Sequence, residues 1–221
     1  MAVYDLEEQE QLDELKTWWK QHGNWVTAVV VAVAVAVVGW QGWNWWQRDQ
    51  ATQAAAVYAA VERAAAEHDA KKAREATGEL IDKFSGTAYA GMAALVSARL
   101  QVESGDLKSA KLQLGWAVDN ARDGALRDLA RLRLAAVLLD EKAYDEALQQ
   151  LANEPAPPFS SRYAELKGDV YAAQGKPEQA KQAYQTALNK IDEAQKAAGN
   201  DQRRGQYRDL LQVKLESLGG K

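Results

Sequence analysis

Hydrophobic positions along this chain obey one rule before Gln47 and another after it. WVTAVVVAVAVAVVGWQGWNWW, from Trp25 to Trp46, carries no charge, and the uncharged interval reaches from Gln21 to Gln47. Its valine-alanine alternation would suit a β-strand, but strands run only about 5–6 residues. As a helix rising about 1.5 Å per residue, Trp25 to Trp46 covers about 33 Å, enough for a hydrocarbon core of about 30 Å. The pattern therefore predicts a membrane-spanning helix over residues 24–46. Seven of the eight tryptophans flank it, Trp18, Trp19 and Trp25 on one side and Trp40, Trp43, Trp45 and Trp46 on the other. Indole favours the headgroup boundary, where an apolar ring and an N–H donor are both accommodated. These seven are the expected belt against the lipid bilayer.

After Gln47 the apolar residues recur at helical spacing, alanine is abundant and proline is confined to Pro155, Pro157, Pro158 and Pro177. This predicts an all-α domain over residues 47–221. A repeated pattern is clearest in YAELKGDVYAAQGKPEQAKQAYQTAL, where Gly168, Tyr171, Gly175, Ala180, Tyr184 and Ala187 fall at tetratricopeptide spacing. Gly168 and Ala180 suit a close crossing of two antiparallel helices, and Tyr171 and Tyr184 fill wider gaps. Gly175 suits a helix end with positive φ, and Pro177 an early helical position where a missing N–H costs nothing. A shift of 33 residues brings Leu134, Ala135, Leu138, Ala147 and Leu151 into register. A further shift of 37 does so for Ala98, Gly105, Ala110, Leu114 and Ala117.

Residues 49–84 read as a long helix leaving the membrane and then a shorter one, with a poor match to the repeat. A loop is expected around Asn200. Arg203 to Leu218 reads as a closing amphipathic helix whose Tyr207, Leu210, Leu211, Val213, Leu215 and Leu218 cover the last repeat, as a stack of helix pairs requires. The fold expected is thus one transmembrane helix followed by an α-solenoid of helix pairs.

Charge is unevenly placed. Residues 1–23 hold six acids against Lys16 and Lys20, leaving 25 of the 31 acids and 25 of the 27 bases to the rest. The net charge of −4 thus belongs to the tail. A signal peptide would begin with a basic region and end in small residues, and neither is present. The repeat domain has no basic surplus for phosphates, which argues against nucleic acid. Within about 20 residues of the span, Lys16 and Lys20 on one side balance Arg48 and Arg63 on the other, so charge alone leaves orientation open. Leu12, Leu15 and Trp19 have helical spacing and suit a short helix at the membrane edge or a contact for a membrane partner, yet the surrounding acids favour a solvated, partly disordered tail.

No catalytic, cofactor-binding or metal-binding set is found. There is no cysteine, and the two histidines, His22 and His68, lie far apart in the chain. Acidic pairs such as Asp140-Glu141 and Asp145-Glu146 sit at expected helix ends, where carboxylates serve the helix termini. The chain is expected not to be an enzyme.

With these pieces in place, the chain resembles the YfgM-type family of ancillary SecYEG translocon subunits. The likeness rests on the acidic tail from Tyr4, the single span after Gly23-Asn24, and the Gly39-Trp40-x-x-Trp43 exit. It continues through Tyr89-Ala90, Ala94 to Arg99, and the repeat from Gly168 to Leu188. The Val-Ala span departs from a glycine-leucine pattern. The resemblance implies a bacterial inner-membrane adaptor with a cytoplasmic N-terminus (residues 1–23) and a periplasmic repeat domain. It implies partners in the SecYEG translocon and a membrane-anchored, PpiD-like periplasmic chaperone, and help in passing secretory client chains onward. The tetratricopeptide spacing maps a partner groove onto Met92, Leu95, Arg99, Val102 and Glu103, then Leu129, Leu132, Ala136 and Leu139, then Arg162, Glu165 and Asp169. Those leucines equally suit packing against neighbouring helices, and spacing leaves both readings open. Assembly of another envelope complex and a cytosol-facing regulator stand as alternative roles.

Overall fold

A computed structural model describes residues 4–198 and 202–218 of the chain; Asn200 and its expected loop lie outside them. Nine α-helices occur among the described residues, with one 3-10 turn at Pro157–Phe159 and no strand. They are α1 (Tyr4–Ala66), α2 (Ala70–Phe84), α3 (Ala88–Glu103), α4 (Leu107–Asn120), α5 (Gly124–Asp140), α6 (Tyr144–Gln150), α7 (Ser160–Ala173), α8 (Pro177–Ala198) and α9 (Gln202–Ser217). The all-α fold expected from the sequence is the one observed. The chain divides into two compact units, Met1–Gln50 and Ala51–Lys221.

In the first unit the acidic tail is helical from Tyr4 onward rather than irregular. Once a helix is nucleated, each added residue gains one backbone bond for one residue fixed, and neither proline nor glycine intervenes before Gly23. Local contacts support it. Lys16 pairs with Asp13 at 3.0 Å, and the Thr17 hydroxyl donates to the Asp13 carbonyl at 2.8 Å.

The second unit is a stack of antiparallel helix pairs in which each helix packs on the next: α2 on α3, α3 on α4, α4 on α5, α5 on α6, α7 on α8, and α8 on α9. One device ends the first helix of each pair. Gly105, Lys142 and Gly175 have φ of +81°, +62° and +71°. In each case the following amide bonds back across the turn, Asp106 to Gln101, Ala143 to Leu138 and Lys176 to Tyr171, at 2.8, 2.8 and 2.9 Å. This is the Schellman closure, which satisfies carbonyls left free at a helix C-terminus.

The same closure occurs a fourth time, at a place the sequence pattern does not mark. His68 has φ +52°, and the Asp69 amide bonds to the Ala64 carbonyl at 2.9 Å. A shift of 37 residues carries His68 onto Gly105, and with it Val61, Ala64, Ala73, Thr77 and Leu80 onto Ala98, Gln101, Ala110, Leu114 and Ala117. All five of the earlier residues are buried, as are their five counterparts. The end of α1 and the whole of α2 therefore form the first helix pair of the stack. Asp69 and Asp106 cap the second helices of their pairs by accepting the amides of Lys72 and Ser109 at 2.9 and 3.1 Å. Hydrogen bonds to those backbone amides hold the Asp69 carboxyl below its ordinary range, and bonds from the Ser109 side chain and amide do the same for Asp106.

Candidate functional site

Helices α3, α5 and α7, the first of their pairs, lie side by side, α3 on α5 and α5 on α7. The packing positions behind them are filled as the repeat spacing requires. Ala98, Ala110, Ala117, Ala135, Leu138, Ala147, Ala180, Tyr184 and Ala187 are all buried, and Tyr171 is partly buried against the last cluster. Gly168 is a steric necessity. A Cβ there would lie 2.5 Å from Cδ1 and 3.0 Å from Cζ of Tyr184, and closer still to Cε1. The exposed Gly105 and Gly175 serve backbone conformation instead, through their positive φ.

The mapped groove residues have three different fates. Leu95 is buried in the central core, and Leu129, Leu132 and Leu139 pack against that core while half-buried, as Met92 is. Arg99, Val102 and Ala136 do line an open cleft between α3 and α5, with a volume of about 260 Å³. Arg133, Val137 and Asp140 share that lining. Arg133 was not marked by the repeat spacing, although Arg133, Ala136, Val137 and Asp140 fall at i, i+3, i+4 and i+7 on one face of α5. The Arg133 guanidinium donates to the Leu95 carbonyl at 3.1 Å. Burial, and then the adjacent Arg99 charge, pull its pKa below the ordinary guanidinium range.

On α7 the charges are occupied by the chain itself. Lys214 of α9 reaches Glu165 at 2.9 Å and both Asp169 oxygens at 2.8 and 2.9 Å. Tyr207 of α9 donates to the other Glu165 oxygen, and Tyr184 donates to Asp169 at 2.7 Å. Arg162 stacks over the Tyr207 ring at 4.2 Å. Burial first, then hydrogen bonds to the carboxylates, pushes both tyrosine pKa values far up. Burial alone would lower that of Lys214, but Asp169 and Glu165 outweigh it and raise it. Buried carboxylates need partners, and α9 supplies them. It buries Leu211 and packs Tyr207, Leu215 and Leu218 on the last pair, as expected, while leaving Leu210 and Val213 exposed.

The first unit has a surface of another kind. All seven flanking tryptophans are exposed, Trp25 and Trp45 by 76% and 71%, together with Val29, Val30, Val31, Val33, Val35, Val37 and Val38. Among the described residues this is the one helix long and apolar enough to cross a membrane. So much apolar area is unfavourable in water and suited to lipid or to another apolar helix. Clusters of three or more metal-ligating side chains are absent among the described residues.

Comparison with known proteins places this architecture among relatives. Residues 16–220 match the tetratricopeptide repeat-like domain family. The ancillary SecYEG translocon subunit of Neisseria gonorrhoeae is 34% identical over 99% of this chain and 100% of its own length. The protein of that name from Haemophilus influenzae is 32% identical over 84% of this chain and 90% of its own. The Escherichia coli one is 26% identical over 85% and 90%.

Proposed function

The chain belongs to the family of ancillary SecYEG translocon subunits, and on that premise we propose that it is a non-enzymatic adaptor of the bacterial inner membrane. The membrane-spanning part of α1 sits beside the translocon, with residues 1–23 in the cytoplasm and residues 47–221 in the periplasm. The repeat domain docks a membrane-anchored, PpiD-like chaperone there, and so helps hand emerging secretory chains to periplasmic chaperones. The observation that carries this is the end-to-end match to relatives bearing the translocon name. The exposed apolar helix and the stack of helix pairs support it, because one suits lateral contact in a bilayer and the other suits protein partners.

The chain has no cysteine, so Asn153→Cys, at an exposed loop position after α6, installs a single thiol. A membrane-impermeant maleimide is expected to label it in intact spheroplasts. Photo-crosslinkers replacing Trp40 or Trp43 are expected to capture translocon subunits. Labelling only after lysis would place the domain in the cytosol and refute the hand-off role, leaving a cytosol-facing regulator. Outward labelling with crosslinks to some other envelope complex would refute the translocon role alone.

A further inference from the structure

Arg99 and Arg133 present two like charges to one cleft whose floor is apolar. Val102, Ala136 and Val137 line it, and Asp140 stands at its rim. Arg99 has a weak local partner, Glu103 at 3.5 Å, with both side chains about half exposed. Glu103 in turn lies 3.7 Å from the His68 ring. Arg133 is half-buried, and among the described residues it has no carboxylate in ion-pair range; its contact is the Leu95 carbonyl at 3.1 Å. That carbonyl belongs to the interior of α3, where it also serves the helix. A guanidinium offers several donors in a planar fork, so most of its capacity remains available. A partly desolvated cation without an anion, beside a second cation, is unfavourable until an anion arrives.

We propose that the cleft between α3 and α5 is a docking site for an acidic, apolar peptide segment of a partner protein, with a glutamate or aspartate carboxylate held by Arg99 and Arg133 and the neighbouring apolar side chain seated on Val102, Ala136 and Val137. Charge complementarity selects the acid, because arginine forks match carboxylates in paired hydrogen bonds. The floor selects the apolar neighbour, since a hydrated inorganic anion gains nothing from valine and alanine. A volume of about 260 Å³ takes one such side chain and its carboxylate partner. Asp140 at the rim is an acceptor for a peptide N–H.

This deepens the adaptor reading and rests on it: the cleft is where the repeat domain would grip its partner. The test uses the full chain in nanodiscs and a fluorescein-labelled, end-capped octapeptide of alternating leucine and glutamate, followed by anisotropy. Saturable binding is expected, weakened roughly tenfold or more by Arg133→Gln and by Arg99→Gln. A lysine-for-glutamate peptide is expected not to bind. Arg133→Met is expected to melt no lower than the parent, because it removes an uncompensated charge. Absence of saturable binding, equal binding of the lysine peptide, or unchanged affinity in both glutamine variants overturns the proposal. So does a fall of several degrees for Arg133→Met, which would make the guanidinium a structural tie to Leu95. Crosslinking of the span to the translocon reads the adaptor role separately, so either idea can fail alone.

Discussion

Replacing Gly168 by alanine adds one methyl group at the tightest crossing in the repeat stack. The new Cβ would lie 2.5 Å from Cδ1 of Tyr184, whereas carbon atoms in contact rest about 3.5–4.0 Å apart. The ring must retreat by about 1 Å, or α7 and α8 must part. Retreat is opposed because the Tyr184 hydroxyl is held by Asp169 at 2.7 Å, and Asp169 is itself held by Lys214. Overpacking of this kind costs about 1–3 kcal/mol. Alanine returns about 1 kcal/mol over glycine in helix propensity, and loss of a bond to a charged acceptor adds about 1.5–3 kcal/mol. A net loss of about 1.5–5 kcal/mol is expected, a fall in Tm of about 5–15 °C for a domain of this size. The equivalent pairs explain the choice of residue. Ala98 faces the Leu114 position and Ala135 the Leu151 position, so a methyl is tolerated where the opposing side chain is leucine. Gly168→Ala in a Tyr184→Leu background should therefore cost almost nothing, giving a coupling above about 1 kcal/mol in a double-mutant cycle. Thermal unfolding followed by circular dichroism measures both. An unchanged or raised Tm for the single variant, or the same cost in both backgrounds, would refute the steric argument.

Leu80→Ala should cost about 2–5 kcal/mol, because Leu80 is fully buried where the first helix pair meets α3; an unchanged urea midpoint would show that this pair is not part of the cooperative unit. Gly175→Ala should lower Tm through its positive φ, by about 1 kcal/mol, whereas Lys142→Gly at φ +62° should leave it level or raise it; the opposite order would mean that backbone strain is not what the turns manage. Gln101→Leu combined with Ser97→Ala removes a buried side-chain oxygen that has no partner together with the buried hydroxyl that accepts from the Gln101 amide at 3.1 Å, and matches the residue type of the counterpart Leu138, so level or raised stability is expected, and a clear loss in urea titration would contradict it. Burial, then the Asp128 charge, push the Tyr163 pKa from 10.0 up to about 12, and Tyr184, Tyr207 and Lys214 are shifted in the same sense. The folded state holds these protons more tightly, so their stabilising contribution is complete below pH 10 and is lost as pH rises through 12. Tyrosinate absorbance should then appear together with loss of helical signal; full ionisation near pH 10 with the helices intact would break the argument.

Much of the fold was legible because its signals are local. An uncharged run bounded by tryptophans needs no tertiary information to read as a span. The last three helix pairs could be aligned because small residues at crossings and glycine at two of the turns are demanded by geometry within each pair. The first pair escaped because His68 stands in the turn where glycine is the usual mark, and Val61 stands where the later pairs carry alanine or glycine. Backbone hydrogen bonding tolerates those exchanges, but a residue pattern does not reveal them. The tail is solvated as its acids suggest, with residues 11–22 exposed, but it is helical rather than partly disordered because the helix it joins is already nucleated.

The groove shows the limit of the one-dimensional pattern. Repeat spacing fixes which face of a helix a residue occupies, and so it placed Arg99, Val102 and Ala136 beside the α3–α5 cleft. It cannot say what lies across from that face. Glu165 and Asp169 have the register of groove residues, yet α9 folds onto them and Lys214 and Tyr207 take their charge. Leu95 likewise has groove register but turns into the core, and Arg133 becomes half-buried beside Arg99 only when α5 packs on α3. Periodicity along the chain therefore determined the span, the helices and the pairing within the last three pairs, because those depend on neighbours a few residues away. Which charges stay free for a partner was decided only by tertiary packing, because a charge is neutralised by whatever the fold brings within a few ångströms of it.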